Sequence, residues 1–437
     1  MTRILLKGGC VLTLGARSQN LPRGDVLVED GRIAEVGTDL RARAAEQIDA
    51  TDTIVMPGFV DTHRHAWTSL FRNLGDGDPR STVRAPMWAV ADHYGPDDVY
   101  AATLIGLLGA AEAGITTVVD WSHLPIEGGL AEAALRAHAD AGLRTVYAHA
   151  PTGASDLGTA TATLARAAGP LTTIAFGTVV PGAGEPDGGA SRAPEEQWEV
   201  ARELGVRIHA HAPDRTGPGL LARAGERGLL GEDVTLVHHA ILNAADIQAV
   251  SSSRAAVSLT PSSEMATGAG SPPIQELIDR DVRPGLGVDD ERVAPGDLFA
   301  QMRATISVQH ATVFDRKLSG KAGLPKLMST RDVIRFATRD GARVAGLRGV
   351  TGSIEPGMPA DLVVLRTDRP NIFPINDPIG AVVWGMDTSN VDRVLVAGRV
   401  VVRDGALEAD VERARVLGEE ARTRVAQAAG LLEGSSA

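Results

Sequence analysis

The sequence predicts an α/β protein in which eight parallel strands and their helices close into a barrel, accompanied by a small β-rich domain. Its 437 residues suit a barrel of ordinary size plus an accessory domain better than one small core. Short apolar runs alternate with helical segments from about residue 54 to residue 289, and hairpin-like patterns precede and follow this central part.

Both ends of the chain show short β-rich runs separated by turn residues. Asp25–Val28, for example, leads into the turn Glu29-Asp30-Gly31. The pattern returns after about residue 350, and the final segment, Asp410–Leu432, has helical spacing. We therefore predict a β-sandwich domain formed by both termini, residues 1–57 plus 350–437, with a C-terminal helix.

The central residues 58–349 are predicted to form the barrel. Eight apolar runs supply its strands: Ile54–Asp61, Ile115–Asp120, Leu143–His149, Thr172–Val180, Val206–His211, Val234–His239, Ala255–Thr260 and Val282–Asp289. Segments with helical spacing, such as Leu130–Ala141, lie between them. This alternation indicates parallel βαβ units, and eight units indicate a closed ring.

Composition and charge exclude several classes of protein. The apolar fraction of 43% and charged fraction of 22% are typical of globular domains. The formal net charge of −12 disfavours nucleic acid as a partner, because such binding depends on Lys and Arg neutralising phosphates. Cys10 is the one cysteine, and neither a membrane span nor a signal-peptide core is apparent. We expect a cytoplasmic protein that acts on a small molecule.

Several of the eleven histidines lie at the carboxyl ends of predicted strands, where barrel enzymes build active sites. The ionisable side chains at this edge are His63, His65, His209, His211, His238, His239 and Asp289. Residues two apart in a strand point to the same face, so His63 and His65 can present two imidazoles to one ion. We predict a metal site that includes these two residues, His211 and Asp289. Zn²⁺ suits these ligands, and Fe²⁺ is the alternative.

Other side chains at that edge are candidates for substrate binding: Trp67, Trp121, His123, His239 and Glu264. Aromatic rings there could stack on a planar substrate, although each of these residues is individually as compatible with loop packing. We expect His138, His149 and His310 to be structural, and Asp290 and Glu291 to be solvated loop charges.

The segment Pro57-Gly-Phe-Val-Asp-Thr-His-Arg-His65 resembles the strand-one signature of the amidohydrolase superfamily. Ala337–Ala342, Gly352–Val363 and Val396–Val402 resemble its C-terminal signatures. The resemblance covers nearly the whole chain. It implies a metal-dependent hydrolase with a distorted TIM (β/α)₈ barrel and a small β-sandwich from both termini. By analogy with such barrels, we expect a homo-oligomer.

The resemblance also indicates a branch of the superfamily. The binuclear branch bridges its metals with a carbamylated lysine on strand four. None of the four lysines here lies on a predicted barrel strand. The chain therefore resembles the mononuclear branch of cytosine, guanine, adenosine-type and triazine deaminases. That resemblance implies one metal per chain, held by His63, His65, His211 and Asp289, with His238 beside the metal water.

The chemistry implied is hydrolysis at an sp² carbon of a small cyclic C–N compound, by a deaminase or amidohydrolase. A bound metal lowers the pKa of water from ~15.7 to ~7 and so supplies the attacking hydroxide. Asp289 would take the water proton, and His238 would hydrogen-bond the developing tetrahedral centre. Two alternatives stay open. One is dechlorination or a non-hydrolytic elimination on the same metal barrel. The other is a non-enzymatic scaffold, which ranks last because all four expected ligands are present.

The sequence departs from the deaminase pattern in two places. The usual proton-shuttling Glu, three residues after the strand-five histidine, is replaced by Asp214, which follows Pro213. Asp214 either shuttles protons to a differently placed substrate or is structural, and both interpretations stay open. The fourth strand, Ala175–Pro181, lacks the Pro-His-Ala-x-Tyr-type segment of many nucleoside-type relatives. A purine nucleoside is therefore the less expected substrate.

Overall fold

The computed structural model describes residues 2–16, 19–73, 90–150, 157–182, 193–211, 217–238 and 242–431. Over these ranges the strands form two separate sheets, one of eight strands and one of nine. The eight-stranded sheet is the barrel, and the nine-stranded sheet combines strands from both ends of the chain. This arrangement confirms the predicted fold, a distorted TIM barrel with a small sandwich domain.

The smaller sheet begins with β1 (Arg3–Val11), β2 (Leu21–Glu29), β3 (Arg32–Gly37), β4 (Glu46–Asp49) and β5 (Thr53–Pro57). The first three strands are antiparallel neighbours, while β1 pairs in parallel with β4 and β5. The predicted strand Ile54–Asp61 is therefore two strands, and its first half belongs to this sheet rather than to the barrel. Gly58 marks the crossing, because a Cβ there would lie 2.1 Å from Cγ2 of Thr116.

The barrel strands are β6 (Phe59–Arg64), β7 (Ile115–Ser122), β8 (Arg144–His149), β9 (Thr172–Val179), β10 (Arg207–His211), β11 (Val234–Val237), β12 (Ala256–Leu259) and β13 (Gly285–Leu286). Each is hydrogen-bonded in parallel to the next along the chain. The ring closes just beyond β13. There, the Asp289 N–H donates to the His63 carbonyl over 2.8 Å, and the His65 N–H donates to the Asp289 carbonyl over 3.0 Å.

Helices pack around the barrel and connect its strands. They are a 3₁₀ helix (Ala66–Phe71), α1 (Pro96–Glu112), α2 (Leu130–Ala141), α3 (Leu157–Ala167), α4 (Pro194–Glu203), α5 (Leu220–Glu226), α6 (Ala244–Ser253), α7 (Pro261–Ala266), α8 (Ile274–Ile278), α9 (Leu298–Leu318), α10 (Thr330–Phe336) and α11 (Arg339–Val344). In the part of the chain that the structure describes, no helix is both long and apolar enough to cross a membrane.

The C-terminal part returns to the smaller sheet. Its elements are β14 (Leu362–Arg366), short helical turns (Pro378–Gly380, Ala381–Gly385 and Thr388–Asn390), β15 (Val391–Val396), β16 (Arg399–Arg403), β17 (Ala406–Leu407) and α12 (Val411–Ala428). Because β14 pairs antiparallel with β5, the two ends of the chain share one sheet. The domain ranges given above stay a prediction, since strand pairing does not fix where a folding unit ends.

A buried ion pair ties the sheet to the barrel. Arg144, at the start of β8, donates from Nε to Oδ2 of Asp361 over 2.7 Å and from Nη2 to Oδ1 over 3.2 Å. The Ala397 N–H donates to the same carboxylate over 2.8 Å. Both charged side chains are largely shielded from water, with side-chain exposures of 10% and 1%.

We expect Asp361→Asn to lower the free energy of unfolding by about 3–5 kcal/mol, because Arg144 would keep a buried charge without a partner. Urea unfolding of the two proteins measures the difference. Asp368→Asn is the matched control, since Asp368 pairs with Arg366 at the surface of the same segment. Its urea midpoint should barely move, and an equal loss in both variants would contradict the prediction.

Candidate metal centre

The structure brings the predicted metal ligands together at the carboxyl end of the barrel. The Nε2 atom of His63 lies 3.2 Å from Nε2 of His65 and 3.2 Å from Nε2 of His211. Oδ1 of Asp289 lies 3.2 Å from Nε2 of both His63 and His65. His238 joins them, with its Nε2 3.4 Å from the same Oδ1. One ligand atom from each of the four histidines falls within 4.8 Å of all the others.

The protonation states of these groups fit a cation. Burial lowers the pKa of His63 to about 3 and holds that of His211 well below its usual value, so both imidazoles are neutral. Burial alone would raise the pKa of Asp289. The charge of His238 and hydrogen bonds from the histidines outweigh it and hold that pKa well below its usual value. Neutral imidazole nitrogens and a carboxylate oxygen that face one point are the donor set of a divalent metal such as zinc.

Neighbouring groups fix the orientation of the ligands. Nδ1 of His65 lies 2.6 Å from the Trp121 carbonyl oxygen. A carbonyl only accepts, so Nδ1 carries the hydrogen and Nε2 presents its lone pair. The hydroxyl of Ser263 donates to Oδ2 of Asp289, which leaves Oδ1 directed at the histidines. His65 and Asp289 are thus held through the atoms that would not touch a metal.

The backbone is unusual at two of these positions. His238 and Asp289 have φ values of +60° and +67°, in the left-handed region that non-glycine residues rarely adopt. Gly287 allows the close approach of the last strand, because a Cβ there would lie 2.7 Å from the His63 carbonyl oxygen. The chain therefore adopts a costly local conformation where it aims these side chains.

Aromatic side chains form one wall beside the histidines. The Trp121 ring stacks on His211, with centroids 4.2 Å apart and planes 13° from parallel. His123 lies 4.4 Å from the rings of both His65 and Trp121, centroid to centroid. Trp67 lies at 5.9 Å from His123 by the same measure. The predicted aromatic residues Trp67, Trp121 and His123 therefore converge on the cluster.

Glu264 lies on the Nδ1 side of His238, whereas Asp289 lies on the Nε2 side. It is 1% exposed, and its Oε1 accepts a hydrogen bond from the Thr260 N–H over 3.1 Å. The Thr260 hydroxyl lies 3.0 Å from Nδ1 of His238, and Oε1 of Glu264 lies 3.7 Å from that nitrogen. These two groups hold His238 from the rear. Thr260 was not among the residues predicted for the site, although it directly follows β12 at the predicted edge.

Two predicted site residues, Asp214 and His239, lie outside the described residues, and their roles stay predictions. The histidines expected to be structural do have internal partners. Nε2 of His138 lies 2.8 Å from Oδ2 of Asp120, and Nε2 of His310 lies 2.9 Å from the Met328 carbonyl. Nε2 of His149 lies 3.2 Å from the Thr161 hydroxyl.

The expectation that Asp290 and Glu291 are solvated loop charges is wrong. Both are buried, at 4% and 9% exposure. Asp290 pairs with Arg292, while Glu291 lies 3.2 Å from Nη1 of the fully buried Arg64 and 2.9 Å from Nη2 of Arg72. A local sequence pattern could not reveal this, since the partners of Glu291 are more than 200 positions away in the chain.

The fold and the site define a parallel barrel with a histidine-rich cluster at the carboxyl ends of its strands. A sequence model of the Amidohydrolase family matches residues 54–401, so the chain belongs to this family. Membership confirms the predicted class, a metal-dependent hydrolase that acts on C–N bonds.

Similar proteins carry more specific names. A 5'-deoxyadenosine deaminase from Methanothermobacter thermautotrophicus is 29% identical over 93% of this chain and 94% of its own. A 5-methylthioadenosine/S-adenosylhomocysteine deaminase from Symbiobacterium thermophilum is 29% identical over 92% and 94%.

Among solved structures, atrazine chlorohydrolase from Arthrobacter aurescens with zinc has a TM-score of 0.82 at 22% identity, covering 96% of this chain and 100% of its own. An adenosine deaminase from Xanthomonas campestris with zinc has a TM-score of 0.82 at 21% identity, covering 98% and 99%. At these identities the likeness establishes the fold alone.

We expect about one divalent ion per chain in the purified protein and a large loss of that ion in His211→Ala, because one of the converging nitrogens is removed. Elemental analysis after gel filtration measures the ratio. His93→Ala is the control, since His93 is exposed. Two ions per chain, or equal metal in the two variants, would contradict a single site held by His211.

Proposed function

We propose that this chain is a zinc-dependent deaminase that hydrolyses the exocyclic C–N bond of an aminated nitrogen heterocycle. One observation carries the proposal: the Nε2 atoms of His63, His65 and His238 converge on a single carboxylate oxygen, Oδ1 of Asp289, at 3.2 to 3.4 Å. In this proposal His63, His65, His211 and Asp289 hold the zinc ion. A zinc ion there would make water nucleophilic at neutral pH, by lowering its pKa from ~15.7 to ~7.

Asp289 is proposed as the proton acceptor for the attacking water. Its carboxylate is ionised, and the Ser263 hydroxyl bonded to Oδ2 keeps Oδ1 pointed into the cleft. A carboxylate held in this way needs no rearrangement to accept a proton from a water beside it.

His238 is proposed as the hydrogen-bond donor to the tetrahedral centre. Burial alone would lower its pKa, but the carboxylates of Asp289 and Glu264 outweigh burial and raise it to about 10. Nε2 is the ring nitrogen on the side that faces Asp289. Thr260, 3.0 Å from Nδ1, holds the ring in that orientation. A fixed donor of this kind stabilises charge that develops during the reaction.

The substrate class rests on the similar proteins. The Trp121 indole is 4% exposed and stacks on His211, so it supports a metal ligand rather than offering a face to the substrate. The 29%-identical relatives are named as deaminases of 5'-deoxyadenosine and of 5-methylthioadenosine/S-adenosylhomocysteine, which makes adenosine-type compounds the first substrates to test. The divergent strand four makes free bases a second set to test.

The test is ammonia release by the zinc-loaded protein from 5'-deoxyadenosine, 5'-methylthioadenosine, adenine, guanine and cytosine. We expect ammonia in equal amount to the oxo product for at least one compound. Asp289→Asn should slow release by roughly 10²–10⁴-fold, because the proton acceptor is lost. His93→Ala should match the wild type.

Other outcomes have defined meanings. Ammonia release that survives Asp289→Asn would rule out the proposed role of Asp289. Chloride release from a chlorinated triazine, without ammonia from any aminated compound, would replace deamination by the dechlorination alternative. A zinc-loaded protein that is inactive on both sets would contradict the proposed reaction.

Ser263→Ala tests a positioning role. We expect metal affinity to fall by roughly 10–100-fold, because Oδ2 of Asp289 loses its partner and the carboxylate can rotate. Competition with a chelator of known affinity measures the change. Ser262→Ala is the control. Ser262 is the neighbouring residue, and it contacts Gln301 through its backbone N–H over 3.2 Å, so the substitution keeps that hydrogen bond. Equal affinities in the two variants would argue against the role of Ser263.

A further inference from the structure

A second pocket lies at the opposite end of the barrel from the histidines. Its volume is about 530 Å³, within the range of ~300–1,000 Å³ typical of small-molecule sites. Its lining includes Arg207, the first residue of β10, and Ala256, the first residue of β12. Residues that precede β13 also line it. His211 lies at the other end of β10. We call this cavity the basic pocket.

The lining is strongly cationic in a protein of net charge −12. Five arginines outnumber the two acidic side chains, Glu232 and Asp281. The arginines are Arg207, Arg254, Arg283, Arg343 and Arg348. Clustering of one sign against the charge of the whole molecule is the pattern of an anion site.

The two acidic side chains form ion pairs with only two of the five arginines. Oε1 of Glu232 lies 3.1 Å from Nη1 of Arg254, and Oδ1 of Asp281 lies 3.8 Å from Nε of Arg283. An ion pair requires a nitrogen–oxygen distance of at most 4.0 Å. In the described ranges, no carboxylate oxygen lies that close to a guanidinium nitrogen of Arg207, Arg343 or Arg348. Three guanidinium groups thus face the pocket without an anionic partner from the described residues.

Arg207 and Arg343 are fixed in place by neutral oxygen atoms. Arg207 donates from Nε to the Thr235 hydroxyl over 2.9 Å and from Nη1 to the Glu232 carbonyl over 2.8 Å. Nη2 of Arg343 donates to the Arg283 carbonyl. These bonds orient the guanidinium groups. Among the described residues, Asp233 and Glu232 act on Arg207 and Asp340 acts on Arg343, but none of these carboxylates is at ion-pair distance. Burial, and next the charge of Arg343, lower the pKa of Arg207 to about 10.

The backbone accommodates this arrangement. Gly346, with a φ of +78°, lies against Arg207, and a Cβ there would be 2.8 Å from Cδ of that arginine. The Thr235 hydroxyl that accepts from Arg207 donates in turn to the Val344 carbonyl over 2.7 Å. Half-buried cations held this closely are costly unless an anion joins them.

We propose that the basic pocket binds a small molecule that carries a phosphate or diphosphate group. Guanidinium forks match phosphate oxygens in pairs, and a dianion or trianion offsets the excess charge of three arginines. The basic pocket and the histidine cluster lie at opposite ends of the barrel. A phosphate compound in the pocket would therefore not overlap with a substrate at the histidine cluster.

The experiment is isothermal titration of the zinc-loaded full chain with inorganic pyrophosphate. We expect one saturable site per chain, with affinity that falls as salt is added. Arg343→Gln and Arg348→Gln should each weaken binding at least ten-fold. Arg422→Gln, an exposed arginine on α12, should leave it unchanged. Arg348 is exposed, so its variant tests the proposal even if Arg343→Gln fails to fold.

Pyrophosphate could also bind at the metal centre, so the titration is repeated with His211→Ala. Binding that persists there and is lost in the arginine variants supports the basic pocket. Binding lost in His211→Ala but retained in both arginine variants would overturn the proposal. Absence of binding in the wild type, or equal binding of citrate and pyrophosphate, would overturn it too.

Discussion

The closure of the barrel is the constraint on which the rest of the structure depends. The backbone of Asp289 bonds to the carbonyl of His63 and the N–H of His65, and these bonds join the last strand region to the first. The same contacts carry the Asp289 carboxylate to 3.2 Å from both imidazoles. The contacts that close the ring therefore also assemble the ligand cluster. A barrel that closed in another register would separate Asp289 from the histidines.

A buried carboxylate reinforces that closure from below. Oδ1 of Asp61 accepts from the N–H groups of His63 and Val288 over 3.2 and 3.1 Å, so it bridges the two strands that meet. Its Oδ2 accepts from Nε of Arg64 over 2.8 Å, and Glu291 completes the chain of charges. Their alternating charges keep these buried ions paired, which offsets the cost of removing them from water.

The two ends of the barrel differ in their chemistry. At the carboxyl ends of the strands, neutral imidazoles and an ionised carboxylate face one another, an arrangement suited to a cation. At the amino ends, five arginines and only two acidic side chains line a cavity, an arrangement suited to an anion. β10 reaches both, with Arg207 at its start and His211 at its end. Alternation along a strand places both residues on the same side, so one strand supplies both sites.

The sequence by itself determined the fold class, the edge of the barrel that holds the site, and the histidines and aspartate that gather there. Those features depend on local alternation and on which residue types end each strand, and both are written in short segments of chain. Only the tertiary structure decided what holds those ligands. The Trp121 carbonyl behind His65 is a backbone group, so no residue type in the sequence indicates it. Glu291 pairs with Arg64, which precedes it by more than 200 positions in the chain. In the tertiary structure Ile54–Asp61 belongs to two sheets, and the arginines of the basic pocket lie close together. Neither feature follows from local pattern, because long-range strand pairing sets which strand ends become neighbours.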